Sequence, residues 1–198
     1  MERGGPKVAE KLGRLWALCA AGLIGEVAMV DVPIDADDRT SAQGLFNYAD
    51  SYLGSAYALK EAGPQVLFPD SPVRFLLYHS AELHLKAFLR AGGLSVEDLH
   101  AKGHNFSKLI PAARRFGLGL DRECEGVLIY GQRSGDVIES RYIRTGARRW
   151  FDTKTLGKCA ADVRRAVRLH PIRLGQISLW GEATGVTDDR WERAWGLS

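Results

Sequence analysis

The most constraining feature of this 198-residue chain is an uninterrupted helical stretch over residues 72–91. Asp70-Ser71-Pro72 offers a cap and an early-turn proline at its start, and Gly92-Gly93 stops it. Leucine, alanine and phenylalanine recur along the stretch at three- and four-residue steps, so the predicted helix has a broad apolar face. A helix of this kind must bury that face against other elements.

Similar apolar periodicity predicts four further helices. They span about residues 41–62, 106–117, 122–132 and 153–169, with a short capped turn after Ser95. Ser41, Asp121 and Asp152 have the side chains that cap helix starts. The chain lacks alternating apolar runs separated by two-residue glycine turns, which are typical of strands. We therefore predict an all-α fold, an up-and-down antiparallel bundle of four to five main helices.

The sequence divides into three predicted parts. Residues 1–35 form an N-terminal helix or leader with an acidic linker, residues 36–175 form the bundle, and residues 176–198 form a tryptophan-rich tail. The tail carries three large apolar side chains, so we expect it to dock on the bundle or on a partner. The apolar run 15–24 has the length of a signal-peptide core, but no small-residue cleavage site follows it. It is also shorter than a membrane-spanning helix, so no membrane association is expected.

The three cysteines, Cys19, Cys124 and Cys159, lie far apart in the sequence. They form no C-x-x-C pair and have no histidine at zinc spacing. We therefore expect three buried, reduced thiols, no metal site and a cytoplasmic location.

The net charge of +3 conceals an uneven distribution, because residues 101–175 hold 16 of the 27 basic residues but only 7 of the 24 acidic ones. The densest patch combines arginines with aromatic residues: Arg141, Tyr142, Arg144, Arg148, Arg149 and Trp150. Guanidinium groups bind phosphates, and aromatic rings stack on exposed bases, which favours RNA as a partner. The alternative is a solvated loop whose arginines pair with the acidic first half of the chain.

Polar residues interrupt the long helix at His79, Glu82 and Lys86. Glu82 and Lys86 stand at the i,i+4 spacing of an exposed ion pair, which contributes about 0.2–0.5 kcal/mol. Alternatively, Glu82 is desolvated and accepts hydrogen bonds from His104 or from an arginine of the basic segment. A third interpretation, a metal site of His79, Glu82 and His104, lacks further ligands.

His104 follows a glycine at the start of a predicted helix, which suits either an orienting hydrogen bond to a carboxylate or a ligand-binding role. Sequence motifs for other chemistries are absent. Neither phosphate-binding glycine motif occurs, and the Gly-x-Ser-x-Gly motif of hydrolases is also missing. We therefore expect no cofactor.

Three segments in order resemble the HEPN family of prokaryotic helical domains: Glu82-Leu-His-Leu-Lys-Ala-Phe-Leu89, Gly103-His-Asn-Phe-Ser-Lys-Leu109 and Arg141-Tyr142. The resemblance covers about residues 41–170. It implies a four- to five-helix bundle, homodimerisation and a role in toxin–antitoxin or defence systems. Many members of the family are metal-independent ribonucleases, often with a minimal nucleotidyltransferase as partner. The resemblance implies the same activity and partner as hypotheses for this chain.

Active members of that family carry Arg-x(4–6)-His near the start of a late helix, where the arginine holds phosphate and the histidine acts as acid or base. Arg141 has no histidine within six residues, so this sequence departs from the pattern. The spacing occurs instead at Arg164 or Arg165 with His170, and at Arg74 with His79. Three hypotheses result: a non-catalytic module that binds RNA or a protein partner, an endoribonuclease toxin using Arg164, Arg165 and His170, and a structural dimerisation module.

Overall fold

The computed structural model describes residues 40–63, 65–139, 151–170, 186–187 and 189–196, and within these ranges the regular structure is entirely helical. This confirms the all-α prediction. The described residues belong to one compact unit, residues 35–198.

Helix α1 spans Ala42–Ala62 and matches the predicted helix closely. The Ser41 hydroxyl accepts a hydrogen bond from the Gly44 amide at 2.9 Å, which satisfies one of the free amides of the first turn. Gly63 ends the helix in the left-handed region, at φ +54°, where glycine is favoured.

Helix α2 spans Asp70–Ala91 and begins two residues before the predicted start. Pro69 occupies the cap position, so Asp70 is not the cap that we predicted. Its carboxylate instead lies 3.1 Å from the Lys60 ammonium of α1. The first turn of α2 is thereby joined to the last turn of α1.

Shorter helices follow, and three of them begin after the predicted caps Ser95, Asp121 and Asp152, although the Asp121 side chain makes no capping hydrogen bond. The shorter helices are α3 Val96–Lys102, α4 Phe106–Arg115, α5 Arg122–Arg133, α6 Asp136–Glu139, α7 Thr153–Leu169 and α8 Arg190–Ala194. Ser95 and Asp98 form a reciprocal capping box at α3. Asp152 caps α7 by accepting from the Thr155 amide at 2.8 Å.

Helix α2 is the centre of the fold, because α1, α3, α4 and α7 all pack against it. The core is built from leucine and aromatic side chains that solvent does not reach. They include Phe46, Leu53, Tyr57, Leu77, Leu85, Phe88, Leu89, Phe106, Leu109, Leu128 and Leu156. The broad apolar face of the sequence pattern is therefore buried against several helices, as predicted.

The C-terminal tail packs against the core where the structure describes it. Trp191 and Trp195 are partly buried there, and the Trp195 indole donates a hydrogen bond to Thr153 at 3.3 Å. Gly157 makes room for this ring, since a Cβ at that position would lie 2.7 Å from it. Trp180 lies outside the described residues, as does the predicted N-terminal part, residues 1–35.

The expectation of three reduced thiols is wrong for Cys124 and Cys159, which form a disulfide between α5 and α7. Their Cα atoms lie 5.0 Å apart, although the two residues are separated by 35 positions in the sequence. The sequence shows no sign of this pair because only the packing of α5 on α7 brings them together. Cys19 lies outside the described residues.

None of the helices within the described ranges is long and apolar enough to cross a membrane.

Candidate functional site

Four polar residues follow one another at four-residue steps along α2: Arg74, Tyr78, Glu82 and Lys86. Residues at this spacing lie on neighbouring turns of a helix and form one slowly rotating line. Each of them contacts a partner on this line or on an element that follows α2 in the chain. The line therefore connects the central helix to the second half of the protein.

The first member of the line, Arg74, contacts both sides of the basic segment. Its Nε donates to Asp136 at 3.2 Å, and a second N–H forms an ion pair with the same carboxylate. A third N–H donates to the backbone carbonyl of Phe151. Asp136 precedes the segment of residues 140–150 and Phe151 follows it, so one guanidinium holds both ends. We call this arrangement the Arg74 clamp.

Tyr78 completes the clamp by donating its hydroxyl hydrogen to Asp136 at 2.7 Å. Burial and the neighbouring Asp136 carboxylate raise the pKa of this phenol, so the hydroxyl remains a donor. The helix that packs here carries Gly131, and a Cβ at that position would lie 2.2 Å from the Tyr78 oxygen. Gly131 is therefore needed for the close approach of α5 to the clamp.

Glu82 is only 1% exposed and accepts hydrogen bonds from two basic side chains. Lys86 donates at 2.7 Å, and His104 Nδ1 lies 2.8 Å from each carboxylate oxygen. The desolvated Glu82 thus contacts His104, as one of the alternatives predicted, and the predicted ion pair with Lys86 also forms but is buried instead of exposed. His104 has the orienting contact with a carboxylate that its position suggested, while 54% of its side chain remains exposed.

A second buried cluster joins α1, α2 and α7 through Asp50, His84 and Arg164. His84 Nε2 donates to Asp50 at 3.0 Å, and Arg164 Nε donates to the same oxygen at 2.8 Å. A further N–H of Arg164 donates to the Val186 carbonyl at 2.8 Å, which ties the tail to the cluster. Ser80 lies 3.3 Å from His84 Nδ1.

The charge states of the cluster follow from its surroundings. Burial lowers the pKa of His84, so the imidazole is neutral. Burial acts to raise the pKa of Asp50, but hydrogen bonds from His84 and Arg164 outweigh it and lower that pKa. Ser80, His84 and Asp50 have the residue types of a hydrolytic triad, yet each is fully buried, so no substrate reaches them.

The residues of the predicted catalytic pair lie in different environments. Arg164 is 2% exposed and is held by Asp50. Arg165 is half-exposed and lies 3.4 Å from Asp162. His170 packs edge-on against the ring of Phe88, with ring centres 5.1 Å apart. The guanidinium of Arg164 is therefore not presented to a phosphate at the surface.

The other predicted pair, Arg74 and His79, is also separated by its contacts. Arg74 forms the clamp, whereas His79 packs between the rings of Tyr52 and Phe75, with centres 4.4 Å and 5.7 Å away. Across the described residues, no group of three or more His, Cys, Asp or Glu side chains is arranged to hold a metal ion. His79, Glu82 and His104 thus do not form the metal site considered above.

The residues of the densest basic patch lie outside the described part of the chain. They are Arg141, Tyr142, Arg144, Arg148, Arg149 and Trp150. Exposed cations lie on the described helices α4 and α5. The Ser107 amide donates to Gln132 at 3.1 Å, which places the end of α5 beside the start of α4. Lys108, Arg115 and Arg133 are all exposed on these two helices.

Sequence reasoning missed Asp50, His84 and Asp136. Asp50 and His84 lie among apolar residues on their helices, and a charged or polar residue at an otherwise apolar register is the signal that would have indicated burial. Asp136 lies between a glycine and a basic segment and carries no such signal.

No family model matches this chain, and neither the curated proteins nor the solved structures contain a match to it.

Proposed function

We propose that this protein is a HEPN-like helical bundle that binds RNA without cleaving it, in a prokaryotic stress, defence or toxin–antitoxin setting. The observation that supports this most is the Arg74 clamp. By holding Asp136 and the Phe151 carbonyl, it fixes the two ends of a segment that contains four arginines, a tyrosine and a tryptophan. Fixed ends reduce the conformational entropy that such a segment loses when it binds a ligand.

The distribution of ion pairs also supports a positively charged surface on α4 and α5. Two buried acidic side chains of the first half are already engaged: Asp50 with Arg164, and Glu82 with Lys86 and His104. Among the described residues, Lys108, Arg115 and Arg133 form no ion pair. Positive charges that are not neutralised by the protein itself are those that release counterions when phosphates bind.

The buried position of Arg164 supports the non-catalytic form of the proposal. A guanidinium that is 2% exposed and bonded to Asp50 and to the Val186 carbonyl has its donors already occupied. Moving it to a scissile phosphate would leave the Asp50 carboxylate buried without its ion-pair partner, at a cost of several kcal/mol. The homodimer and the nucleotidyltransferase partner remain predictions of the family resemblance.

The test is single-stranded RNA binding measured at several salt concentrations. We expect tight binding at low salt and a linear fall of log affinity with log salt. The variant Lys108→Gln/Arg115→Gln/Arg133→Gln should lower the slope by about 2, because each phosphate contact contributes about 0.7 on single strands. A matched variant, Lys60→Gln/Lys158→Gln/Arg193→Gln, removes the same charge from side chains that already form ion pairs, and it should leave the slope nearly unchanged.

Three outcomes contradict the proposal. Binding that is absent at low salt, or equal loss of slope in both variants, removes the specific surface. Cleavage of the RNA in EDTA that disappears in His170→Ala would establish the endoribonuclease instead.

A further inference from the structure

The Cys124–Cys159 disulfide lies in the wall of a surface pocket of about 360 Å³. The pocket is formed by the start of α5, the first half of α7 and the tail helix α8, which contributes Trp191. Each cysteine residue is only 3% exposed, so the surface of another protein does not contact the sulfur atoms. A small molecule that enters the pocket lies beside Cys124 and Cys159, which both line it.

Charges of both signs line this pocket. Lys154 is exposed and, among the described residues, forms no ion pair. Lys158 lies beside it on the same helix and is bound to Asp162 at 2.9 Å. The carboxylates of Glu123 and Asp152 also line the pocket. A ligand that carries a carboxylate and an ammonium group pairs its carboxylate with Lys154 and its ammonium group with Glu123 or Asp152.

We propose that this pocket is a redox modification site for a low-molecular-weight zwitterionic thiol. The thiolate of the small molecule attacks one sulfur of the disulfide, forms a mixed disulfide with it and releases the other cysteine as a thiolate, which takes up a proton. A second equivalent of the small thiol then attacks the mixed disulfide. Two small thiols are oxidised to their disulfide, and Cys124 and Cys159 are reduced to two thiols.

The position of the disulfide in the chain gives this reaction a consequence. Residues 124–159 form a covalent ring that encloses the whole basic segment, residues 140–150. The disulfide and the Arg74 clamp therefore each connect residues that precede this segment with residues that follow it. Opening the disulfide leaves only the clamp, so reduction should weaken RNA binding, and this part of the inference rests on the proposed function.

The test uses the full chain with Cys19→Ser, so that only the cysteine pair contributes thiols. Reduced glutathione and the uncharged thiol 2-mercaptoethanol are added separately, and thiol release and adduct mass are followed with time. Lys154→Glu should slow the reaction with glutathione by about tenfold, the low end of electrostatic effects in charged clefts, because it repels the glutathione carboxylates. It should slow the reaction with 2-mercaptoethanol clearly less, because that thiolate carries a single negative charge and no carboxylate, and the matched variant Lys60→Glu should leave both rates unchanged.

The results separate the two parts of the inference. Free Cys124 and Cys159 thiols in air-oxidised protein, or equal slowing of both reagents by Lys154→Glu, overturn the modification site without any RNA measurement. The oxidised protein is expected to bind single-stranded RNA several-fold more tightly than Cys124→Ser/Cys159→Ser. Equal affinities overturn the regulatory part alone, whereas an oxidised protein that fails to bind RNA overturns the proposed function and leaves the thiol chemistry standing.

Discussion

Arg74 of α2 and Asp136 of α6 form a buried ion pair across 62 positions of the sequence. The exposed fractions of their side chains are 10% and 2%. The same guanidinium donates to the Phe151 carbonyl, so the pair joins the central helix to both ends of the basic segment. Its geometry makes it a determinant of stability and, under the proposed function, of RNA binding.

Replacing Arg74 with methionine should lower the free energy of unfolding by about 3 kcal/mol, because the Asp136 carboxylate then remains buried without its cationic partner. Urea unfolding measures this loss. Arg165→Met is a suitable control, since that arginine is half-exposed and its contact with Asp162 should contribute under about 1 kcal/mol. Equal losses in the two variants would show that the clamp is not the stronger contact.

Gly131→Ala should destabilise the protein by about 1–3 kcal/mol, because the new methyl group would meet the Tyr78 oxygen at 2.2 Å. The substitution tests whether α5 needs a glycine at this position. Combining it with Tyr78→Phe removes the nearest clashing atom and leaves a ring carbon at 2.9 Å, so the two effects should add only in part. Thermal unfolding of the two single variants and the double variant completes the cycle.

Gly126 provides the control for this prediction on the same helix. A Cβ at Gly126 meets nothing within 4 Å, so Gly126→Ala should stabilise the protein by up to about 1 kcal/mol through helix propensity. The two substitutions lie on one helix and should change the stability in opposite directions. The comparison therefore separates the effect of packing from that of helix propensity.

The stability of the protein should fall as the pH drops below about 6.5, the ordinary pKa of histidine. Burial lowers the pKa of His84 in the folded state, so the unfolded chain takes up a proton there first. The stabilisation is therefore complete above pH 6.5 and is lost toward the lower folded pKa. The groups that face His84 are Asp50, whose pKa is also lowered, Ser80 and Arg164.

Urea unfolding at intervals between pH 7.5 and 5.5 tests this dependence, which amounts to at most about 1.4 kcal/mol per pH unit for one proton. His84→Gln should flatten the dependence while lowering stability at pH 7.5. If the stability of the variant falls with pH as steeply as that of the parent, the protons are taken up by groups other than His84.

The disulfide should contribute about 3–4 kcal/mol to stability, because it closes a loop of 35 residues in the unfolded chain. Cys124→Ser/Cys159→Ser should lose this amount in denaturant unfolding under oxidising conditions. Under reducing conditions, the parent and the double variant should unfold at nearly the same denaturant concentration. A difference that persists with a strong dithiol reductant would point to side-chain packing instead of the covalent bond.

The helices could be predicted because their signals are local. Ser41, Asp152 and the Ser95–Asp98 box cap helices at the predicted residues, and apolar periodicity placed α1, α2 and α7 within two residues of their observed starts. The contact of Glu82 with His104 was one of the predicted alternatives, since a carboxylate on a largely apolar helix indicates a buried partner.

Most of the candidate site could not be predicted in this way. Asp50 and Arg164 are 114 positions apart, and no periodicity links them. The polar residues of α2 also divide differently from what their order suggests, because Arg74 and Tyr78 share the line of Glu82 and Lys86. His79 packs between the rings of Tyr52 and Phe75 instead. Four-residue spacing identifies neighbours on a helix but not the helix that covers them.

The sequence by itself thus determined the secondary structure and the charge imbalance of the second half, because capping, helix periodicity and charge depend on nearby residues alone. Only the tertiary structure decided which buried polar groups meet. The pairs Arg74–Asp136, Asp50–Arg164 and Cys124–Cys159 each require two distant helices to pack in one register. The physical reason is that a buried charge or thiol is satisfied by whatever group the packing brings within a few ångströms, and that group is fixed by the fold as a whole.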